Sequence, residues 1–412
     1  MPVASPKPAA GVAGKLSLVW FLALGSLGLL FPFYSLFLTT EGGLSGSEVG
    51  LVMAMPSLVS IFSQGLWGQL ADRTGARNRV VALLALGTAL GVGALTFAAG
   101  FVGFLVVSAL MAVFSAALIP NTMALTLAHV HDATGRLFGR VRVWGTVGFA
   151  ITVVSFPWLL DRWQQSQGLS PGSPTDTEPG LRLMFPLAAI TAVLVVPVAL
   201  ALPRTATSHL RAKRGEWRAL LRNRNFVRLL VVTLLAYGCI QGPMALFPIL
   251  VHAQGGGLDA ISGMWILMLS LEIPLVFFFG AAVSRAGPRG VIAIGLLASA
   301  LRWIVSGFVD NLEVVAAVQV LHGIAVWGLI LGAPLYVDLS VPPHLRSTAQ
   351  GLLAMVGIAI GGTLSTAAAG WLIELYGATA PARVGGFGVL LLALALPVLL
   401  PKIGIARSDA TP

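Results

Sequence analysis

Long runs of apolar residues recur along the whole chain and constrain its fold more than any other feature. A helix that crosses a bilayer needs roughly 17–25 such residues. Lipid offers the backbone no hydrogen-bond partners, so only helices and closed barrels cross it, and unbroken apolar runs lack the alternation of barrel strands. We therefore predict an all-α membrane protein with twelve transmembrane helices. The predicted spans are 16–38, 48–70, 80–99, 101–125, 140–160, 181–202, 227–252, 259–283, 290–309, 313–337, 347–373 and 384–401.

The composition supports a membrane protein and excludes several other classes. Of 412 residues, 57% are hydrophobic and 10% are charged, whereas a soluble domain carries about 25% charged residues. The single cysteine, Cys239, excludes an internal disulfide framework and a thiolate metal cluster, and we expect no metal site. The first run is too long for the apolar region of a signal peptide, so we interpret it as a retained span.

The positions of lysine and arginine predict the orientation of the chain. Loops between successive spans lie on alternate sides of the membrane. Of the 25 basic residues, three lie in the loops of one side, at Arg162, Arg182 and Arg383, and two lie inside predicted spans, at Arg142 and Arg302. The other 20 (25 minus five) lie in the loops and termini on the opposite side. Basic loops stay in the cytoplasm, so both termini are predicted to be cytoplasmic in a multi-pass protein of the cell inner membrane. Because the basic residues are scattered over many loops, the net charge of +10 does not indicate a nucleic-acid partner.

Two halves of the chain repeat a short loop pattern. The stretch Gly68–Arg77 between spans two and three matches the stretch Gly280–Arg289 between spans eight and nine, with both glycines and both arginines 212 residues apart. The same separation relates Gly145 to Gly357. Parallel repeats of this kind are typical of secondary transporters. We predict two pseudo-symmetric six-helix bundles at 1–202 and 227–412, joined by a basic cytoplasmic linker at 203–226.

The first copy of this loop resembles the loop signature of the major facilitator superfamily. The resemblance implies a gating loop, in which glycines permit a tight turn and Asp72 pairs with a neighbouring helix end. The second copy has Ser284 in place of the acid. The residues assigned to gating are Gly68, Asp72, Arg73, Gly75, Arg77, Gly280, Arg285 and Gly287.

A narrower resemblance covers most of the chain. The stretch Phe138–Phe149 is similar to the fifth-span motif of phenylpropionate permeases and nucleoside–proton symporters. The placement of Glu272, Arg302 and His322 in spans eight, nine and ten is similar to that in lactose permease. This chain departs from lactose permease at Ala325, where that protein has a second acid.

Three ionisable residues fall near the predicted midplane of the membrane. At a rise of 1.5 Å per residue, Glu272, Arg302 and His322 lie about 14–20 Å from the surface. Such residues cost roughly 2.5–3.5 kcal/mol each and therefore need partners and usually a purpose. We expect a Glu–Arg pair beside a titratable histidine. The alternatives are a purely structural ion pair and a hydrogen-bonded core histidine.

Other polar residues complete the candidate cavity. Arg142 either reaches the cytoplasmic headgroups or lines the cavity with Thr146, one turn further along the same face. Gln241 in span seven is a further cavity candidate, whereas Gln319 is interpreted as contact between helices. Phe31 and the other aromatic residues of span one either stack on a solute ring or pack against lipid.

These features together predict a secondary transporter. The leading hypothesis is proton-coupled symport of a small polar organic solute, such as an aromatic carboxylate, a nucleoside or a sugar, by alternating access in a monomer. The proton gradient would supply the energy and no cofactor is expected. A proton-driven efflux antiporter and a scaffold or sensor without transport remain alternatives. The chain lacks the metal-hydrolase and nucleophile-elbow motifs of enzymes, so no enzymatic activity is expected.

Overall fold

The computed structural model describes residues 10–130, 136–169, 178–204 and 217–403. Within these residues every regular element is helical, and twelve apolar helices follow the predicted order. They are α1 (Gly11–Thr40), α2 (Gly46–Thr74), α3 (Arg77–Leu95), α4 (Gly100–His129), α5 (Leu137–Ser166), α6 (Leu181–Leu200), α7 (Arg224–Ala245), α8 (Leu258–Ser270), α9 (Arg285–Phe308), α10 (Leu312–Ser340), α11 (Pro343–Tyr376) and α12 (Ala380–Leu399). All but α8 are long and apolar enough to cross a membrane. The predicted fold class is confirmed.

Prolines explain why three spans are interrupted. The helical hydrogen bonding of α1 gives way to a turn at 31–33, around Pro32. A turn at Leu246 separates α7 from a short helix, Phe247–Ala253, that contains Pro248. Likewise α8 ends at Ser270, and a new helix begins at Glu272. Pro274 has no N–H for the carbonyl of Ser270, so the helix is weakened at that point.

The internal repeat is visible in the backbone. Gly75 and Gly287, 212 residues apart, both have a positive φ, 64° and 67°, with ψ of 7° and 170°. Gly43 and Gly255 have the same separation and also have positive φ, 63° and 84°. Only glycine reaches this region without steric cost, which is why the same residue recurs at both positions of each pair.

Glycines of the fifth helix in each half permit close packing on the first helix of that half. A Cβ atom added to Gly145 of α5 would lie 2.6 Å from Leu24 of α1. A Cβ atom added to Gly357 of α11 would lie 3.1 Å from Thr233 of α7. The predicted correspondence of these two glycines therefore extends to equivalent helix contacts.

The chain forms two compact units. The first comprises residues 1–209 and a returning segment, 251–265, and the second comprises residues 210–250 and 266–412. The core of the first unit includes Trp20 and Leu118, and that of the second includes Phe226 and Tyr336. Residues 205–216 of the predicted linker lie outside the described residues, and its boundaries stay predictions.

A polar contact ties three helices of the first unit together beyond the end of α1. The Glu41 carboxylate accepts a hydrogen bond of 2.7 Å from the N–H of Leu181. Arg182 donates from Nη1 to the carbonyl of Thr96, also at 2.7 Å, and its guanidinium lies 5.4 Å from the centre of the Phe37 ring. This contact holds the start of α6 against the ends of α1 and α3.

The left-handed turn at Gly75 generates a prediction about stability. We expect Gly75→Ala to lower the free energy of unfolding by about 1–2 kcal/mol, because an L-residue is strained at positive φ. Gly68→Ala is the control, since Gly68 is helical and its added Cβ meets nothing within 4 Å. Thermal unfolding in detergent should show a lower Tm for Gly75→Ala alone. Equal effects of the two substitutions would contradict the assignment.

Glu41 generates a prediction about pH. Burial raises the pKa of the Glu41 carboxyl, against the N–H of Leu181 and the charge of Arg182, which lower it. The folded protein therefore binds this proton more tightly than the unfolded chain, so the stability contributed by Glu41 is lost as pH rises through the raised pKa. Glu41→Gln keeps an acceptor for Leu181 and does not titrate. Between acidic and neutral pH, the melting temperature should fall less steeply with rising pH for the variant than for the wild-type protein. Parallel plots of melting temperature against pH for the two proteins would disprove this role.

Candidate functional site

Arg302 is a charged residue buried almost completely in the second unit, with 2% of its surface exposed. Its Nε donates to Oε1 of Gln319 at 2.7 Å, and its Nη1 donates to Nδ1 of His322 at 3.0 Å. Its Nη2 lies 3.3 Å from the sulfur of Met244 and 3.5 Å from that of Met268. The cation thus joins residues of α7, α8, α9 and α10.

Aromatic rings cover the remaining faces of this guanidinium. Its Cζ lies 4.2 Å from the ring centre of Trp303 and 5.8 Å from that of Phe247. A desolvated cation over an aromatic face gains about 2 kcal/mol. These contacts of Arg302 come from neutral groups: an amide, an imidazole, two thioethers and two aromatic rings. A buried charge is costly, which marks this position as more than packing.

Gln319 holds Arg302 in place. It is fully buried, and its amide donates to the Ser306 hydroxyl at 3.1 Å and to the Val315 carbonyl at 2.8 Å. These two bonds orient the amide so that its oxygen faces Arg302. The sequence predicts Gln319 only as a contact between helices. Its position three residues before His322, on the same face of α10, was the available signal.

The contact with Arg302 defines the state of His322. Arginine is always a donor, so Nδ1 of His322 must accept with its lone pair. The imidazole is then neutral and carries its proton on Nε2. A second proton, on Nδ1, would place two donors face to face, so protonation of His322 requires that this contact break.

Glu272 lies beside the same part of α10. A Cβ atom added to Gly323, the residue after His322, would lie 2.9 Å from the backbone nitrogen of Glu272. Glu272 also occupies the first turn of a helix, where the helix dipole favours a carboxylate. The hydrogen bonds from Arg302 to Gln319 and His322 therefore lie next to Glu272, and the expected pair between Glu272 and Arg302 stays a prediction.

The candidate residues of the first unit lie on α5. The guanidinium of Arg142 lies 5.5 Å from the ring centre of Trp20, whose indole N–H donates to the Thr126 hydroxyl at 2.9 Å. Arg142 and Thr146 are both half-buried and share a face of α5. Gln241, in α7 of the second unit, is likewise half-buried.

The predicted gating loop of the first unit contains an ion pair. Asp72 and Arg77 lie 2.5 Å apart, and Arg77 also donates to the Ala124 carbonyl of α4 at 3.4 Å. The carboxylate thus reaches a neighbouring helix through Arg77 rather than directly. Gly75 makes the turn, Gly68 faces open space, and Arg73 is exposed.

The equivalent loop of the second unit is arranged differently. Gly287 makes the turn, Arg285 is exposed, and Arg289 donates to the Leu400 carbonyl at 3.3 Å. Gly280 lies in a helical stretch, 275–284, whose side-chain surroundings are outside the described residues. The functional roles assigned to both loops stay predictions.

The sequence matches the family model described as "MFS_1 like family" over residues 14–381. The chain belongs to the major facilitator superfamily. Maltose permease of Geobacillus stearothermophilus is 30% identical over 358 residues, covering 87% of this chain and 86% of the permease. YegT of Escherichia coli strain K12, which is assigned to nucleoside transport, is 27% identical over 376 residues, covering 87% of this chain and 84% of YegT.

Solved structures share the fold. A point mutant of the nucleoside transporter NupG superimposes with a TM-score of 0.82 at 16% identity, covering 94% of this chain and 99% of NupG. The D-xylose–proton symporter superimposes with a TM-score of 0.70 at 14% identity, covering 95% and 98%. The predicted family and architecture are confirmed. The protein is an integral membrane transporter of this superfamily and not an enzyme.

The contacts of Gln319 generate a prediction. Gln319→Leu removes the acceptor of a buried charged donor and should lower the free energy of unfolding by about 1.5–3 kcal/mol. Ser306→Ala removes a neutral hydrogen bond from the same network and should cost about 1 kcal/mol. Thermal unfolding of both variants in detergent measures the difference. Similar losses in the two variants would mean that Gln319 does not stabilise the Arg302 charge.

Proposed function

We propose that this transporter carries a neutral, hydroxyl-rich solute of the sugar or nucleoside class into the cell together with protons. The buried Arg302–Gln319–His322 cluster next to Glu272 is the observation that carries this proposal. Alternating access would expose the solute site to each side in turn. The proton gradient would be the energy source, with no cofactor, in a monomer of the cytoplasmic membrane whose two termini face the cytoplasm.

The chemistry of the candidate residues supports a polar solute. Arg142 contacts the Trp20 ring through its face, and among the described residues its N–H groups have no hydrogen-bond partner. Five donors in a rigid plane are well suited to adjacent hydroxyl oxygens. Thr146 adds a hydroxyl on the same face of α5. A sugar or nucleoside is also consistent with the presence of a maltose permease and nucleoside transporters among the similar proteins.

Glu272 is the group best placed to carry the proton. Arg302 stays charged, and the lone pair of His322 is occupied by the contact with Arg302. Glu272 therefore remains as the group of this cluster that changes charge without breaking that contact. A carboxylate at membrane depth is costly when charged, so solute binding and protonation would favour each other.

Transport in proteoliposomes tests this proposal. We expect uptake of radiolabelled maltose, of uridine or of both to rise when the outside is made acidic. Glu272→Gln should remove this acceleration, at least tenfold, while exchange of solute between the two sides at equal pH continues. The reason is that glutamine leaves the solute site in place but has no group that titrates.

His322→Asn is the matched control. An asparagine oxygen can accept from Arg302 in place of Nδ1, so the variant should keep the response to the pH gradient. The proposal fails if the wild-type protein moves neither solute, or if Glu272→Gln retains gradient-driven uptake. Solute export driven by the gradient would instead support the antiport alternative.

A further inference from the structure

The indole of Trp265 is buried with its N–H unsatisfied. Only 5% of the residue is exposed, and Nε1 has no hydrogen-bond partner among the described residues. Two other tryptophans of the first unit are satisfied. Trp20 donates to Thr126 at 2.9 Å, and Trp67 donates to the Val113 carbonyl at 2.8 Å. A buried donor without an acceptor is uncommon and costs roughly 1–3 kcal/mol.

Aromatic rings of two other helices surround this indole. Its ring centre lies 5.5 Å from that of Phe31 in α1 and 5.5 Å from that of Phe149 in α5. Both contacts are steeply inclined, at 73° and 56°. Residues 251–265 belong to the first compact unit, so all three rings lie in one unit.

The position of Trp265 is fixed by a hydrogen bond one turn earlier in α8. Ser262 is 5% exposed and donates from its hydroxyl to the Val153 carbonyl of α5 at 2.9 Å. This bond anchors the start of α8 to α5. The unsatisfied N–H is therefore held in place rather than left by a side chain that is free to turn.

Packing alone does not account for a tryptophan here. Phenylalanine would supply an aromatic ring for the contacts with Phe31 and Phe149 and would bury no donor. The indole adds an N–H that is useful only if an acceptor arrives during the transport cycle. Tryptophan combines this donor with an apolar face, which suits a ligand that has both a ring face and oxygen atoms.

The surroundings of Trp265 connect this donor to the candidate solute residues. Phe149 follows Arg142 by seven residues and Thr146 by three, so the three residues share one face of α5. Seven residues of helix span about 10 Å. A solute with two linked rings is long enough to contact Arg142 at one end and the aromatic cluster at the other.

We propose that the indole N–H of Trp265 donates a hydrogen bond to an oxygen of the transported solute, whose ring lies against Phe31 and Phe149. This proposal rests on the proposed function and assigns it a specificity-determining residue. The ligand chemistry is a ring with an apolar face and an acceptor oxygen at its edge, as in a sugar or a nucleobase.

The same contact would couple solute binding to closure. When α8 packs on α1 and α5 without solute, the N–H of Trp265 is buried unpaired. When the solute supplies an oxygen, the same packing leaves no unsatisfied donor. Closure of this region is therefore more favourable with solute than without it, as an efficient carrier requires.

Trp265→Phe tests the proposal, because it removes the N–H and keeps an aromatic ring. We expect the KM for maltose, uridine or both to rise about three- to tenfold, as loss of one hydrogen bond predicts. The melting temperature without solute should fall less than in Trp67→Phe, because both substitutions remove the same ring volume and only that of Trp67 also removes a hydrogen bond. The solute with the larger rise in KM would identify the ring that Trp265 contacts.

Trp67→Phe is the matched control, since its N–H is already bonded within the protein. It should lower the melting temperature and leave the KM unchanged. An unchanged KM in Trp265→Phe overturns the proposal. So does a fall in its melting temperature as large as that of Trp67→Phe, since the N–H of Trp265 would then be bonded inside the protein already.

The solute-induced rise in melting temperature separates this proposal from the proposed function. It measures binding and needs no proton gradient. A wild-type rise that Trp265→Phe reduces supports the contact even if transport proves independent of pH. Equal rises in the two proteins, or no rise with either solute, overturn the contact.

Discussion

The burial of one positive charge determines much of the structure of the second unit. Arg302 is almost completely buried away from solvent. Its donors are satisfied instead by an amide oxygen, an imidazole lone pair and two thioether sulfurs, and its faces are covered by aromatic rings. Residues from four helices are needed for this arrangement. A change in any of these helices must keep those contacts or replace them.

This arrangement gives the three neighbours of Arg302 different tasks. Gln319 is held by Ser306 and the Val315 carbonyl and acts as a fixed acceptor. His322 is neutral and accepts through Nδ1. Glu272 has its backbone against Gly323 and is the group that we propose to change charge during a cycle. The commitment of the other two groups to Arg302 supports this proposal of proton coupling through the carboxylate.

The apolar runs and the internal repeat predict most of the fold. Lipid favours helices, so span positions follow from the apolar runs, and the turn at Gly287 follows from its match to Gly75. The helix breaks near Pro32, Pro248 and Pro274 could be predicted from the sequence, because proline has no backbone N–H to donate. The midplane depth of Arg302 and His322 stays a prediction from the constant rise per residue of a helix.

Hydrogen-bond partners were harder to predict than positions. Which groups accept hydrogen bonds from Arg302 depends on how α9 is rotated against α10, and sequence spacing does not give that rotation. The sequence also does not predict that the N–H of Trp265 is unsatisfied, because an apolar run does not indicate which acceptor a tryptophan will have. The first unit retains the Asp72–Arg77 pair, whereas the second holds the buried cation, so the two halves have diverged in chemistry while keeping their glycine turns.

Proton movement on solute addition tests the central claim most directly. Wild-type protein in lightly buffered proteoliposomes, with potassium and valinomycin to compensate charge, is given maltose or uridine outside, and the external pH is recorded. Symport predicts that the external medium becomes more alkaline as solute enters, and that a protonophore abolishes the change. Solute entry without any change in pH, or with acidification outside, would contradict proton-coupled symport.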